Sequence, residues 1–162
     1  MRQLSFEKEN YSSCAITGHR EIEGKIFPKK VEQALEEIIQ MGVTTFYNGL
    51  AMGWDLLTAE RIIKLKKKYP QVRLIGCVPF YGQERYFPDK DKVRYAKVLK
   101  GCDEVTLLSE QYYNGCLLRR NDYMIERADM LFAYCVRNVG GTAYTVRKFA
   151  LKKGKENIRF FV

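Results

Sequence analysis

The feature that most constrains this chain is the alternation of short apolar runs with longer amphipathic ones. The runs 13–17, 43–48, 72–78, 104–109, 130–136 and 158–162 are apolar, β-branched or aromatic, and they read as strands. Helical spacing fills the intervals. After Pro28, the residues Val31, Leu35, Ile38 and Ile39 repeat at i, i+4, i+7 and i+8, and Gly42 stops that helix. A second helix is expected over 54–68, with Leu57, Ile62 and Leu65 inward and a lysine-rich outer face. Further helices are expected over 117–128 and from the Gly140-Gly141-Thr142 triplet to about Lys153, where Gly154 stops the last one. The stretch 82–100 contains Pro88 and many charges. It is expected to be a loop with one helix around Val93 to Lys100, and it is a candidate lid. Strands that are apolar on both faces and alternate with helices indicate a mostly parallel central sheet covered on each side, an α/β three-layer sandwich. With no internal repeat or linker in the chain, residues 1–162 are expected to form a single domain.

Charge and cysteine usage narrow the chemistry. The 28 Lys and Arg against 19 Asp and Glu give a net charge of +9, which attracts nucleic acid, a nucleotide or another acidic partner. The clusters Lys64, Lys66, Lys67, Lys68 and Lys152, Lys153, Lys155 are most simply solvated helix faces. Cys14, Cys77, Cys102, Cys116 and Cys135 form no CxxC pair, and His19 is the only histidine. Zinc usually needs four clustered ligands, so reduced structural thiols are expected, with no metal and no cofactor. No apolar run approaches the ~20 residues that span a bilayer. The opening MRQLSFEKENYSS offers no apolar stretch for a secretory signal, so a cytoplasmic protein without membrane contact is expected.

Open α/β sheets bind ligands at the carboxyl ends of their strands, so the residues just after each strand matter most. They are Thr17-Gly18-His19-Arg20, Asn48-Gly49 through Gly53-Trp54-Asp55, Pro79-Phe80-Tyr81, and Arg137 through Gly140-Gly141-Thr142. Glycines let backbone N–H groups approach a phosphate, and a helix N-terminus adds about half a positive charge. Gly140-Gly141-Thr142 is the best such cradle, although a tight turn that binds nothing has the same composition. His19 and Arg20 could meet phosphate oxygens. Asp55 either complements a helix dipole or accepts hydrogen bonds from ribose hydroxyls, and Trp54, Phe80 and Tyr81 either stack on a base or simply pack. Neither GxGxxG nor a Walker A motif is present, which disfavours ordinary NAD and ATPase readings.

The segments AITGHR (15–20), YNGLAMGWDLLTAE (47–60), CVPF (77–80), RNDYMIERADMLFAY (120–134) and GGTAYTV (140–146) together resemble the SLOG superfamily. That superfamily joins the LONELY GUY phosphoribohydrolases, the DprA-like DNA-processing proteins and the YpsA-like proteins, and the YpsA-like branch is the nearest. The resemblance implies a Rossmann-like nucleotide-binding fold, often dimeric, so a homodimer or higher homo-oligomer is expected. LONELY GUY enzymes use an Arg nine residues before an Asp, a separation that Arg120 and Asp129 reproduce. The Glu of their PGGxGTxxE motif falls on Thr145, which cannot supply a catalytic carboxylate. Phosphoribohydrolase activity of that kind is therefore not expected.

Three functional readings follow. The first is a nucleotide-binding sensor or sequestering protein, and SLOG domains that bind cyclic ADP-ribose-like signals suggest an ADP-ribose-type ligand. Phosphates would sit on Gly140, Gly141 and Thr142 with Arg120 and Arg20, ribose at Asp55 or Asn48, and the base near Trp54 or Phe80. The second is an N-glycosidic bond hydrolase using another carboxylate among Asp55, Glu60, Asp122 and Glu126, with Arg120, Glu126 and Asp55 as catalytic candidates. The third is DprA-like nucleic-acid binding.

Overall fold

The computed structural model describes residues 11–162, so residues 1–10, on which part of the leader reading rests, lie outside it. The strands are β1 (Ser13–Gly18), β2 (Thr45–Asn48), β3 (Arg73–Val78), β4 (Glu104–Leu107), β5 (Met130–Tyr134) and β6 (Ile158–Phe160). The helices are α1 (Pro28–Gln40), α2 (Trp54–Leu65), α3 (Asp89–Gly101), α4 (Cys116–Arg127) and α5 (Gly141–Lys153), with 3-10 turns at Gln83–Tyr86 and Lys155–Asn157. Every expected strand and helix is present, and every strand pairing is parallel.

Side chains alternate across the sheet with a period of two, and each face meets its own helices. Cys14, Ile16, Phe46, Leu74 and Phe132 pack with Leu35 and Ile38 of α1, Ile62 of α2 and Val98 of α3. Ala15, Ile75, Cys77, Leu131 and Ala133 face Met124 and Ile125 of α4 and Phe149 of α5. The result is the expected three-layer α/β sandwich with an all-parallel, Rossmann-like sheet. Burial pushes the Cys77 thiol up to about 12, consistent with a cysteine that serves as a small core hydrophobe.

The buried face of α1 is Val31, Leu35, Ile38 and Ile39, as its spacing requires. In α2 the buried residues include Trp54, Leu56, Thr58, Ala59, Ile62 and Leu65, whereas Leu57 is only partly buried at the edge of the core. The reason is Trp54: its ring anchors the helix and rotates Leu56, not Leu57, beneath it. Helix α3 begins at Asp89 rather than near Val93. Pro88 holds an extended conformation that ends the preceding turn, and Asp89 and Asp91 complement the positive end of the helix dipole.

The strand order is β4-β3-β2-β1-β5-β6. The chain builds outward from β1 to β4, then α4 carries it back to the other side of β1. Connections therefore leave β1 and β5 in opposite directions and open a crevice over their carboxyl ends, the usual ligand position in such sheets. At the opposite end of the sheet, Asp129 ties the two strands together. Its carboxylate accepts from the backbone N–H groups of Ser12 and Ser13 and from the Ser12 hydroxyl, each at 3.1 Å. Replacing Asp129 with Ala leaves those donors unpaired. It should lower the unfolding free energy by about 2 kcal/mol, read by urea denaturation, with Asp129→Asn costing less.

Candidate functional site

The crevice is a cleft of about 930 Å³. Its walls come from the end of β1 (Thr17, Gly18, His19, Arg20), the β2–α2 loop with Asp55, α4 with Arg120, and the β5–α5 loop with Gly140, Gly141 and Thr142. Four loops named from the sequence are therefore brought to one end of the sheet, and three of them line this cleft.

The two helices that start here differ at their N-termini. Helix α2 is closed. The Trp54 N–H donates to the His19 carbonyl at 3.1 Å, the Leu56 N–H to Ala51 and the Leu57 N–H to Gly53. The Asp55 carboxylate accepts the Ala51 N–H at 3.2 Å. Glycines permit this packing. A Cβ on Gly53, whose φ is +76°, would lie 2.1 Å from the Arg20 carbonyl oxygen, and one on Gly18 would lie 2.3 Å from the Trp54 ring. Gly18 and Gly53 thus serve close packing. Helix α5 is open. Its first turn has no side-chain cap and no acidic residue. Nothing lies within 4 Å of where a Cβ on Gly140 or Gly141 would stand. The Tyr144 N–H donates to the Gly140 carbonyl at 3.0 Å, while the Gly141, Thr142 and Ala143 N–H groups have no backbone partner among the described residues, and Gly141 and Thr142 line the cleft.

Arg120 enters from α4 and is only 5% exposed. Its Nη1 donates to the Gly49 carbonyl at 2.7 Å and more weakly to Cys77 at 3.5 Å, and its Nε donates to Asn121 at 2.9 Å. Gly49 has no room for a side chain, because a Cβ there would lie 2.5 Å from Nη1. Nη2 makes no hydrogen bond among the described residues. Burial works against the guanidinium charge, and Asp55 supports it. Asp55 is itself buried, and burial pushes its carboxyl up to about 6 despite the opposing pull of Arg120, the Ala51 N–H and Arg20.

His19 acts on the loop across the crevice. Its Nε2 accepts the Val136 N–H at 2.9 Å, and its ring meets Tyr134 edge-on at 5.5 Å. Burial first and Arg137 second hold its pKa below the usual value, so the neutral ring that can accept this bond is favoured. His19 therefore fixes the path by which the chain leaves β5 and approaches Gly140. Arg137, on the same path, is paired with Glu23 at 2.9 Å.

Several expected contacts do not form. Trp54 is fully buried, with its ring 5.3 Å from Tyr134 and 5.2 Å from Phe161, and so presents no face to a base. Asn48 is also fully buried. Its amide donates to the Asp55 carbonyl and the Thr58 hydroxyl, and its carbonyl accepts the Leu50 N–H at 2.8 Å, holding Leu50 at φ +58°. Those bonds use its polar atoms, so it offers nothing to a ribose. Pro79 is buried, and Phe80 lines a neighbouring compartment instead of this cleft. Among the acids considered for catalysis, Glu60 is held by Arg94 at 2.8 Å, Asp122 by Lys148 at 2.7 Å, and Glu126 is exposed near the far end of α4. Only Asp55 of the four lines the cleft. Thr145, at the position of the LONELY GUY glutamate, turns its hydroxyl back to the Gly141 carbonyl at 2.9 Å. The 82–100 stretch contributes Pro88 and Asp91 to the rim. Glu21, Asn121 and Val139 also line the cleft, although the sequence singled out none of them as a candidate ligand contact. Arg137, which opens the loop named after the fifth strand, lines the cleft as well.

This is an α/β protein of Rossmann-like topology with a polar cleft at its switch point, lined by Arg20, Arg120 and Arg137 and by Glu21, Asp55 and Asp91. Residues 14–162 match the profile of the YspA SLOG family (YpsA), and the chain belongs to that family. A UPF0398 protein of Halalkalibacterium halodurans is 29% identical over 119 residues, covering 72% of this chain and 63% of that protein. The UPF0398 protein YpsA of Bacillus subtilis is 26% identical over 143 residues, covering 80% of this chain and 79% of its own. Among solved structures, DNA processing protein A (DprA) of Streptococcus pneumoniae superposes with a TM-score of 0.67 at 17% identity, over 93% of this chain and 50% of that one. DNA processing protein A of Helicobacter pylori, whose structure concerns single-stranded DNA binding, gives a TM-score of 0.56 at 20% identity, over 94% of this chain and 66% of that one. At those identities the likeness is one of fold. This chain spans about half to two thirds of the DprA proteins. Among the described residues, no helix is long and apolar enough to cross a membrane.

The raised Asp55 pKa predicts a stability signature. The folded state binds this proton more tightly than the unfolded chain, whose carboxyl has the ordinary value of 3.8. The associated stability is complete below about pH 4 and is lost as pH rises through about 6. Between pH 4 and pH 7 the difference in unfolding free energy should move in favour of Asp55→Asn over wild type by roughly 2 kcal/mol. Parallel denaturation curves for the two proteins at several pH values measure it.

Proposed function

We propose that this protein is a cytoplasmic binding protein for a nucleotide or an ADP-ribose-type derivative, acting as a sensor or sequestering module. The observation that carries the reading is Arg120. A guanidinium that is 5% exposed, fixed by the Gly49 carbonyl and left with Nη2 unbonded, lines the same cleft as the open N-terminus of α5. A buried charge with an unused donor invites a compact anion, and a phosphate is the anion both features suit. In this reading the phosphates lie between Arg120 and the Gly140-Gly141-Thr142 turn, with Arg20 at the rim. Asp55 accepts the ribose hydroxyls. A second copy of the chain would help close a site built on exposed loops.

DprA-like binding of nucleic acid is the second reading, favoured by the fold likeness and the net charge of +9. The lysine clusters do not support it strongly, because several of their members are already engaged. Lys64 pairs with Glu32, Lys66 with Asp103 and Lys68 with Glu36. Lys153 donates to the carbonyls of Glu126 and Ala128.

Calorimetric titration with ADP-ribose at low and high salt separates the two. The binding-protein reading expects a salt-tolerant affinity, whereas contact with many phosphates of a strand falls steeply as salt rises. Gly141 has open space and an ordinary φ, so Gly141→Leu should fold. It should lower affinity at least tenfold, about 1.4 kcal/mol, by filling the anion position. Unchanged affinity in that variant would remove the cradle.

A further inference from the structure

Beside the first cleft lies a second compartment of about 780 Å³ with a different character. Its walls include Phe80, Tyr81, Tyr86, Phe87 and Tyr112. Three of these rings are strongly exposed, Tyr81 at 66%, Tyr86 at 89% and Tyr112 at 62%. None of their phenols is hydrogen-bonded among the described residues. Phe80 and Tyr112 meet edge-on at 5.3 Å, and Arg85 adds a guanidinium. Exposed rings gathered around one hollow, with unused faces, are a stacking platform for planar groups.

The two compartments adjoin, with Arg20, Ala51, Met52 and Leu117 lining both. Each has the volume of a complete small-ligand site, about 300–1,000 Å³. The first compartment already holds anion donors, the ribose acceptor Asp55, and apolar wall from Leu118, Met124 and Val139. It can accommodate one whole nucleotide, which leaves the aromatic compartment for another unit.

We propose that the aromatic compartment is a base-stacking subsite, and that the ligand carries two base-bearing nucleoside units joined through phosphate. Resting on the nucleotide reading above, it adds the ligand's length. One phosphorylated unit occupies the first cleft. Arg20, at the junction, meets the connecting phosphate, and the second base lies among Tyr81, Tyr86 and Tyr112. Such a ligand can be a free dinucleotide or two successive units of a single strand.

The test compares AMP with 5′-phosphorylated adenylyl-adenosine (pApA), measuring Kd for wild type and for the double variant Tyr86→Ala, Tyr112→Ala. Both positions are exposed, so the fold should tolerate the change. Wild type should bind pApA at least tenfold more tightly than AMP, and the variant should bring that ratio close to one. An equal loss of AMP and pApA in the variant would overturn the proposal, because a single nucleotide would then span both compartments. A wild-type ratio near one, or a ratio unchanged in the variant, would also overturn it while leaving the nucleotide reading intact. Absence of binding by both ligands would remove both. A ten-residue oligoadenylate identifies the source. Affinity that stops rising at two units indicates a free dinucleotide, and affinity that climbs with length and falls with salt indicates a strand.

Discussion

Burying the charge of Arg120 is the constraint on which this end of the sheet depends. An arginine in that position needs fixed acceptors, and the β2–α2 loop is shaped to supply them. Gly49 turns its carbonyl to Nη1 and has no Cβ that would collide with it. Asn48 then holds Leu50 at positive φ, so that the loop bends back over the sheet towards Asp55. Asp55 sits close enough to favour the guanidinium, although no ion pair within 4 Å joins them among the described residues. Its elevated pKa shows that burial outweighs the attraction. The pair is thus incompletely neutralised and retains an unused donor.

The contrast between α2 and α5 follows from the same economy of backbone groups. Both helices start at the switch point after a glycine of positive φ. The first finds acceptors in His19 and Ala51 that the second lacks, and its glycines are spent on packing. The second has no cap and open space around Gly140 and Gly141. His19 links the two ends: its carbonyl receives the Trp54 N–H, while its ring receives the Val136 N–H. One residue at the end of β1 therefore sets the spacing between a closed helix start and an open one.

Much of the fold was legible because it rests on periodicity. The four apolar positions of α1 and the unbroken apolar runs of β1, β3 and β5 specify which surfaces are buried. The cleft was legible in part. Gly140-Gly141-Thr142 and Arg120 stand out as a glycine turn and a family-matched arginine, and they do line one cleft. Trp54 and Asn48 were misplaced because residue type does not reveal direction. A tryptophan that opens a helix can point outward to a ligand or inward to Tyr134, and only the missing Cβ of Gly18 makes the inward choice possible. The aromatic compartment was legible only at Phe80 and Tyr81. Tyr86 and Tyr112 come from separate loops with no shared pattern, and tertiary structure alone brings them together.

The central claim is that the α5 N-terminus and Arg120 share one anion. Amide and arginine side-chain NMR during titration with ADP-ribose tests it most directly. The account predicts the largest shifts at the Gly141 and Thr142 amides and at the Arg120 Nε–H, with little change along Lys64 to Lys68. Shifts centred on those lysines, or an unperturbed Arg120 under saturating ligand, would contradict it.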